Sequence, residues 1–275
     1  MKRFIPLVAL WALVCPLSAQ KAEAEELKHG ARFIETTWYT EAEDLELLKL
    51  FEGLRVADVS DGMDMVGLPD QGFVDPAIHP SWVDVESMSH VIRGIALTAR
   101  YVPTMKSDRP EPGEDFREWE GHFYGTYSSE AFTPLIHEGV VVVIDDVEEK
   151  DIGTIGSNNI LGWKARGAVG VITDASSRDT DEVELERVPL YLREKARGIR
   201  PGRNELESVN LPLSLGGVLV CPGDVVVADG DGVIVVPRRV APEVARHAQM
   251  VLEGDKAGRR RLYERLGMPM DQTVE

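Results

Sequence analysis

Residues 156–181 read GSNNILGWKARGAVGVITDASSRDTD, and their order decides the fold. Ala168 to Thr173 is a short apolar run with β-branched residues, bounded by Gly167 and by Asp174, which predicts a strand buried on both faces. Ile160 to Arg166 predicts a short helix ahead of it, with Gly167 as the C-terminal stop. Loop, helix and strand then form one crossover unit of an α/β fold, where ligands gather at strand C-termini and helix N-termini. Gly156, Ser157, Asn158 and Asn159 stand at that helix start, and Ser176 to Asp179 at that strand end. The guanidinium of Arg178 matches a carboxylate in bidentate geometry, while Asp179 offers hard oxygen to Mg²⁺ or Mn²⁺. Together they suit a 2-oxo acid. Taken alone, the two residues also read as a surface pair capping a turn.

Downstream, Leu211 to Pro237 reads LPLSLGGVLVCPGDVVVADGDGVIVVP, where Gly216-Gly217, Pro222-Gly223-Asp224 and Asp229-Gly230-Asp231-Gly232 punctuate three β-rich segments. Such steps specify tight turns, so the stretch predicts a compact β-meander. Its aspartates lack the spacing and closing glutamate of an EF-hand loop and read as turn formers. Upstream, the leucines and phenylalanine of Glu41 to Leu54 recur at helical spacing, with Ser60 as the expected cap of a second short helix. Ala241 to Leu266 predicts a C-terminal helix carrying a basic patch, Arg259 to Arg261.

These segments resemble the family of the regulator of ribonuclease activity A and 4-hydroxy-4-methyl-2-oxoglutarate aldolase. The likeness lies in Val56 to Gly67, Ile92 to Ala99, Gly139 to Asp145, Gly156 to Asp181, Ala196 to Gly198 and Asn210 to Pro237. It implies a swivelling β/β/α layered domain with N- and C-terminal helices, assembled as a trimer or hexamer with sites at subunit interfaces. It further implies that Arg178 grips the carboxylate of a pyruvate moiety, that Asp179 holds the metal, and that the amides of Gly156 to Asn159 contact the substrate. The implied chemistry is that of a class II, divalent-metal aldolase or oxaloacetate decarboxylase working through a pyruvate enolate. Ser157 departs from the pattern, since that position is commonly acidic in the aldolases. The same resemblance includes non-catalytic regulators on this scaffold, which is the alternative.

Lys2-Arg3, the apolar run Phe4 to Cys15 and Pro16 to Ala19 have the order of a secretory signal peptide over residues 1–19, so a periplasmic or secreted protein is expected. Residues 20–40 read as a linker, 41–266 as the domain and 267–275 as a tail. Residues 101–130, rich in proline, charge and aromatics, read as an insertion or lid loop whose His122, Tyr124 and Tyr127 are placed to line a substrate pocket. The net charge of −17 argues against nucleic acid and an anionic membrane surface as partners, while leaving small anions to a local arginine. With Cys15 in the leader, Cys221 has no partner and reads as a core residue of an apolar strand.

Overall fold

The computed structural model describes residue 34 and residues 37–106, 110, 115–146 and 151–275. The expected leader and most of the expected linker lie outside the described residues. In chain order the elements are α1 (Glu41–Lys49), α2 (Val56–Met65), β1 (His79–Pro80), β2 (Ile92–Pro103), α3 (Phe116–Thr126), β3 (Val140–Asp145) and α4 (Ser157–Lys164). There follow β4 (Gly170–Thr173), β5 (Ser176–Ser177), α5 (Thr180–Leu185), β6 (Leu190–Leu192), β7 (Glu194–Lys195) and β8 (Asn204–Val209). The chain closes with β9 (Leu213–Leu215), β10 (Val218–Val220), β11 (Val225–Asp229), β12 (Gly232–Val236) and α6 (Ala241–Leu266).

The main sheet runs β1-β6-β4-β3-β2-β11-β12, with β8 also on β2. Its centre is parallel, β2 to β3 to β4 to β6, as a crossover fold requires. The first half of β2 pairs antiparallel with β11 and its second half with β8, with a register shift at Arg100/Tyr101. One long strand thus serves two neighbours along one edge, the bulge adds local twist, and the sheet is nearly closed. The fold is thus mixed α/β with N- and C-terminal helices.

Burial follows the sequence pattern. Val140 to Ile144 of β3 are each 2% exposed or less, because helices or strands cover both faces. Each such side chain contributes about 1.5–3 kcal/mol relative to an exposed one. One apolar cluster joins β3 and β4 to Ile160 and Trp163 of α4; another lies beneath α1, α2 and α6, around Phe51, Val59 and Val244.

Several local expectations change. The second helix starts at Val56, not at Ser60, because Asp58 supplies the cap: its Oδ2 accepts from Arg55 N at 2.9 Å. The insertion, read as a loop, carries α3, capped where Asp115 Oδ1 accepts from Arg117 N at 2.9 Å. The expected meander is two hairpins in two sheets: β9 and β10 pair apart, while β11 and β12 join the main sheet. Asp224 and Asp229 do form turns, accepting from Cys221 N and Asp231 N at 2.8 and 2.9 Å. Cys221 sits partly buried between β10 and β11, not within a strand. Arg259 and Arg260 grip the C-terminal segment through Thr273 and the Val274 carbonyl, and Val274 is fully buried.

Candidate active site

The crossover unit places its two ends together. β3 leads through the loop to α4, which returns the chain to β4, so the α4 N-terminus stands by the C-terminal ends of β3 and β4. The helix starts at Ser157, three residues before the expected Ile160, with Gly156 as its cap residue. It ends at Lys164, with Ala165 as its C-cap and Gly167 completing the following turn at φ +112°.

The loop ahead of α4 is pinned from several sides. Thr154 Oγ1 donates to Asp146, and Asn204 Nδ2 donates to Asp146 Oδ1 at 2.8 Å, in a network that is buried throughout. Ile155 bridges Ser177, and Ser177 Oγ and Arg178 N both donate to the Ile155 carbonyl at 2.9 Å. The Ala196-Arg197-Gly198 step holds the other side: Ile152 bridges Gly198, and Arg197 N and Nε donate to Asp151 at 2.7 Å. Those bonds from Arg197 hold the Asp151 carboxyl below the usual range.

Against this loop lie Arg178 and Asp179. A Cβ on Gly156 would stand 2.6 Å from Asp179 Oδ2 and 3.4 Å from Arg178 Nε; one on Gly153 would stand 2.7 Å from Arg178 Cβ. Only glycine lets the arginine stem and the aspartate approach so closely. Arg178 Nε and Asp179 Oδ2 are 3.6 Å apart, and the two side chains keep 35% and 40% of their exposure, so this is an open corner with its charged atoms accessible. Asp179 holds φ +57° and ψ +32°, a left-handed conformation uncommon outside glycine, and makes no capping bond to α5. Its carboxylate is turned toward Gly156 instead.

The four expected substrate-contact residues divide. The Gly156 amide donates to Asn159 Oδ1 at 3.4 Å, and the Asn159 amide to the Gly156 carbonyl at 3.1 Å. The N–H groups of Ser157 and Asn158 belong to the helix start, where the helix itself supplies no acceptor. Asn159 Nδ2 donates to Glu130, which also accepts from Trp163 Nε1 at 3.0 Å and Arg200 Nη2 at 2.7 Å. Ser157 Oγ donates to Glu182, an acid that the sequence reading missed.

Of the insertion residues, Tyr124 lines a cavity of about 420 Å³ with Asn159, Glu130 and Arg200, its ring 5.0 Å from the Arg200 guanidinium carbon. His122 and Tyr127 instead pack edge to face, their centroids 6.0 Å apart. A larger cavity of about 630 Å³ opens elsewhere, beside Arg55, Asp229 and Arg259. Its charges are engaged locally: Arg55 with Asp58 and Asp255, Asp229 with Val56 N and Asp231 N, Arg259 with Tyr263 and Thr273.

Fold and corner together define a mixed α/β protein whose guanidinium, carboxylate and helix-start amides share one edge. The chain belongs to the RraA-like family, Aldolase/RraA, whose profile matches residues 56–235. An uncharacterized protein of Methanocaldococcus jannaschii is 29% identical over 105 residues, 37% of this chain and 49% of that protein. The 4-hydroxy-4-methyl-2-oxoglutarate aldolase of Thermus thermophilus is 33% identical over 104 residues, 36% of this chain and 60% of that enzyme. The chain thus spans about half the length of the curated relatives it matches. Among solved structures, RraAS2 of Streptomyces coelicolor, described as an unusual member of the RNase ES inhibitor RraA protein family, aligns with a TM-score of 0.64 at 21% identity. That alignment covers 79% of this chain and 98% of RraAS2, a likeness of fold.

Proposed function

We propose that this chain is a divalent-metal-dependent lyase acting on a small 2-oxo acid, of the 4-hydroxy-4-methyl-2-oxoglutarate aldolase or oxaloacetate decarboxylase type. The observation that carries this reading is the approach of Asp179 Oδ2 and Arg178 Nε to the bare face of Gly156. The aldolase name borne by the Thermus relative supports it.

The residues fit the implied ion. Asp179 gives hard carboxylate oxygen, and its side chain keeps 40% of its exposure, which leaves it open to a cation. Among the described residues no three His, Cys, Asp or Glu side chains enclose a common point. Mg²⁺ and Mn²⁺ are commonly held by one or two carboxylates with water and substrate oxygens, so this is a donor set they accept. When bound, the ion supplies Lewis-acid stabilisation of the developing pyruvate enolate oxygen.

Arg178 binds the substrate carboxylate, its stem laid flat on Gly153 so that the fork is fixed before substrate arrives. The N–H groups of Ser157 and Asn158 donate to substrate oxygen at the helix start. Retro-aldol cleavage and oxaloacetate decarboxylation develop charge on the same oxygen, so one set of groups serves both. Leu161 on α4 and Leu185 on α5 are exposed apolar side chains, available to a trimeric or hexameric homo-oligomer. The leader-like order of residues 1–19 supports a periplasmic or secreted site of action.

The test is pyruvate release from 4-hydroxy-4-methyl-2-oxoglutarate and from oxaloacetate with Mg²⁺ or Mn²⁺. Metal-dependent release is expected from the parent chain, with kcat/KM lowered about 100-fold or more in Arg178→Gln, which loses the fixed carboxylate clamp. No release from either substrate with either metal would leave a non-catalytic binding protein on this scaffold.

A further inference from the structure

We propose that the cavity of about 630 Å³ lined by α6 and the 83–91 loop binds a small monocarboxylic acid with an apolar body, its carboxylate taken by Arg93 and His90. The site stands apart from the lyase corner and does not depend on it. Three charges beside the cavity are engaged locally, as described above; Arg93 is not. Its Nε donates to the Leu54 carbonyl at 2.6 Å, which anchors the stem, while among the described residues its two terminal nitrogens have neither a hydrogen-bond acceptor nor an ion-pair partner. The nearby acids face other donors: Asp229 accepts from Val56 N and Asp231 N, and Asp58 from Arg55. Burial, the largest influence on it, draws Arg93 below the usual arginine range, although Asp229, Asp58 and Glu52 act the other way. The guanidinium is therefore short of negative charge, and an incoming anion supplies it.

His90 supplies a second, neutral donor. It is 3% exposed, its carbonyl accepts from Tyr191 Oη at 3.0 Å, and the Trp82 ring meets its ring edge-on with centroids 6.3 Å apart, so the imidazole is held in place. Its Nδ1 accepts the Asp84 amide proton at 3.1 Å, which places the ring's own proton on Nε2. That N–H has no acceptor among the described residues, and a donor on so buried a ring is costly to leave unmatched. One guanidinium fork and one neutral N–H suit a singly charged carboxylate. Asp229, Asp231 and Asp255 in the same lining disfavour a dianion such as phosphate. Elsewhere the lining is apolar: Val83, Val85, Met88 and Leu252 contribute to it, and Val85 is 73% exposed. An apolar body laid on those side chains removes their surface from water.

The experiment is equilibrium dialysis of the full chain against labelled octanoate, with octanamide, butyrate and inorganic phosphate as competitors. Saturable binding of octanoate is expected. Octanamide keeps the tail without the charge and should compete about 10-fold more weakly or worse. Butyrate, shorter by four methylenes, should compete about 100-fold more weakly. Arg93→Gln should weaken octanoate about 10-fold or more and erase its advantage over octanamide, a change that loss of packing alone would not produce. Val85→Asp, at an exposed position of the lining, should weaken octanoate by placing a like charge there. If octanoate binds Arg93→Gln as tightly as the parent, or Val85→Asp does so where Arg93→Gln fails to fold, the assignment is overturned. Octanamide matching octanoate would mean a merely apolar cleft, and phosphate matching it a merely cationic one; either overturns it, as does a parent chain that binds no octanoate at about 10 mM.

Discussion

Gly156 is the residue that the site can least replace. Its missing side chain is the space into which Asp179 Oδ2 and Arg178 Nε point, 2.6 and 3.4 Å from where a Cβ would stand. Gly156→Ala should therefore turn the Asp179 carboxylate aside or push the α4 start away. About 1–3 kcal/mol of stability should be lost to overpacking, and kcat/KM for pyruvate release should fall about 100-fold from misplacement of roughly an ångström. Urea melts and initial rates check both, and full activity in Gly156→Ala would show that the close approach is incidental. Arg178 and Asp179 were legible in the sequence because they are adjacent and end a predicted strand. The left-handed backbone of Asp179 and the arrival of Glu182 were not, since both depend on where α5 starts and which way it faces.

Among the elements, β4 and α4 were legible from apolar run and glycine punctuation, while α4 began earlier than Ile160 because the polar Ser157, Asn158 and Asn159 are its first turn. Helix α3 was hidden, its aromatic residues Phe116, Trp119 and Phe123 masked by the charge and proline around them. The glycines after Leu211 marked the turns correctly, but turns do not say which sheet a hairpin joins. Cys221 illustrates what the turn does to chemistry. Burial first, and then the neighbouring Asp224 carboxylate, push its thiol up to about 11. A raised pKa means less thiolate at neutral pH, so native Cys221 should alkylate slowly with iodoacetamide, its rate rising about tenfold per pH unit from 7 toward 10. Denaturant should abolish the protection, bringing the pKa to about 8.5. A native rate at pH 8 equal to the unfolded rate would contradict this.

At the scale of the molecule, strand order was the least legible feature, because β2 serves β11 and then β8 along one edge while β3 pairs along the other. Local patterns carry no trace of such sharing. Its consequence is geometric: the parallel centre of the sheet ends beside the α4 N-terminus, and the loop between is pinned by Asp146, Ser177 and Gly198, which holds the corner's backbone in place. A preorganised corner should bind an enolate mimic in one orientation. The direct measurement is a crystal soaked with oxalate and Mg²⁺. Difference density is predicted with the oxalate against the Arg178 guanidinium and the ion at the Asp179 carboxylate. Density elsewhere, or an empty corner at saturating oxalate, would contradict the account.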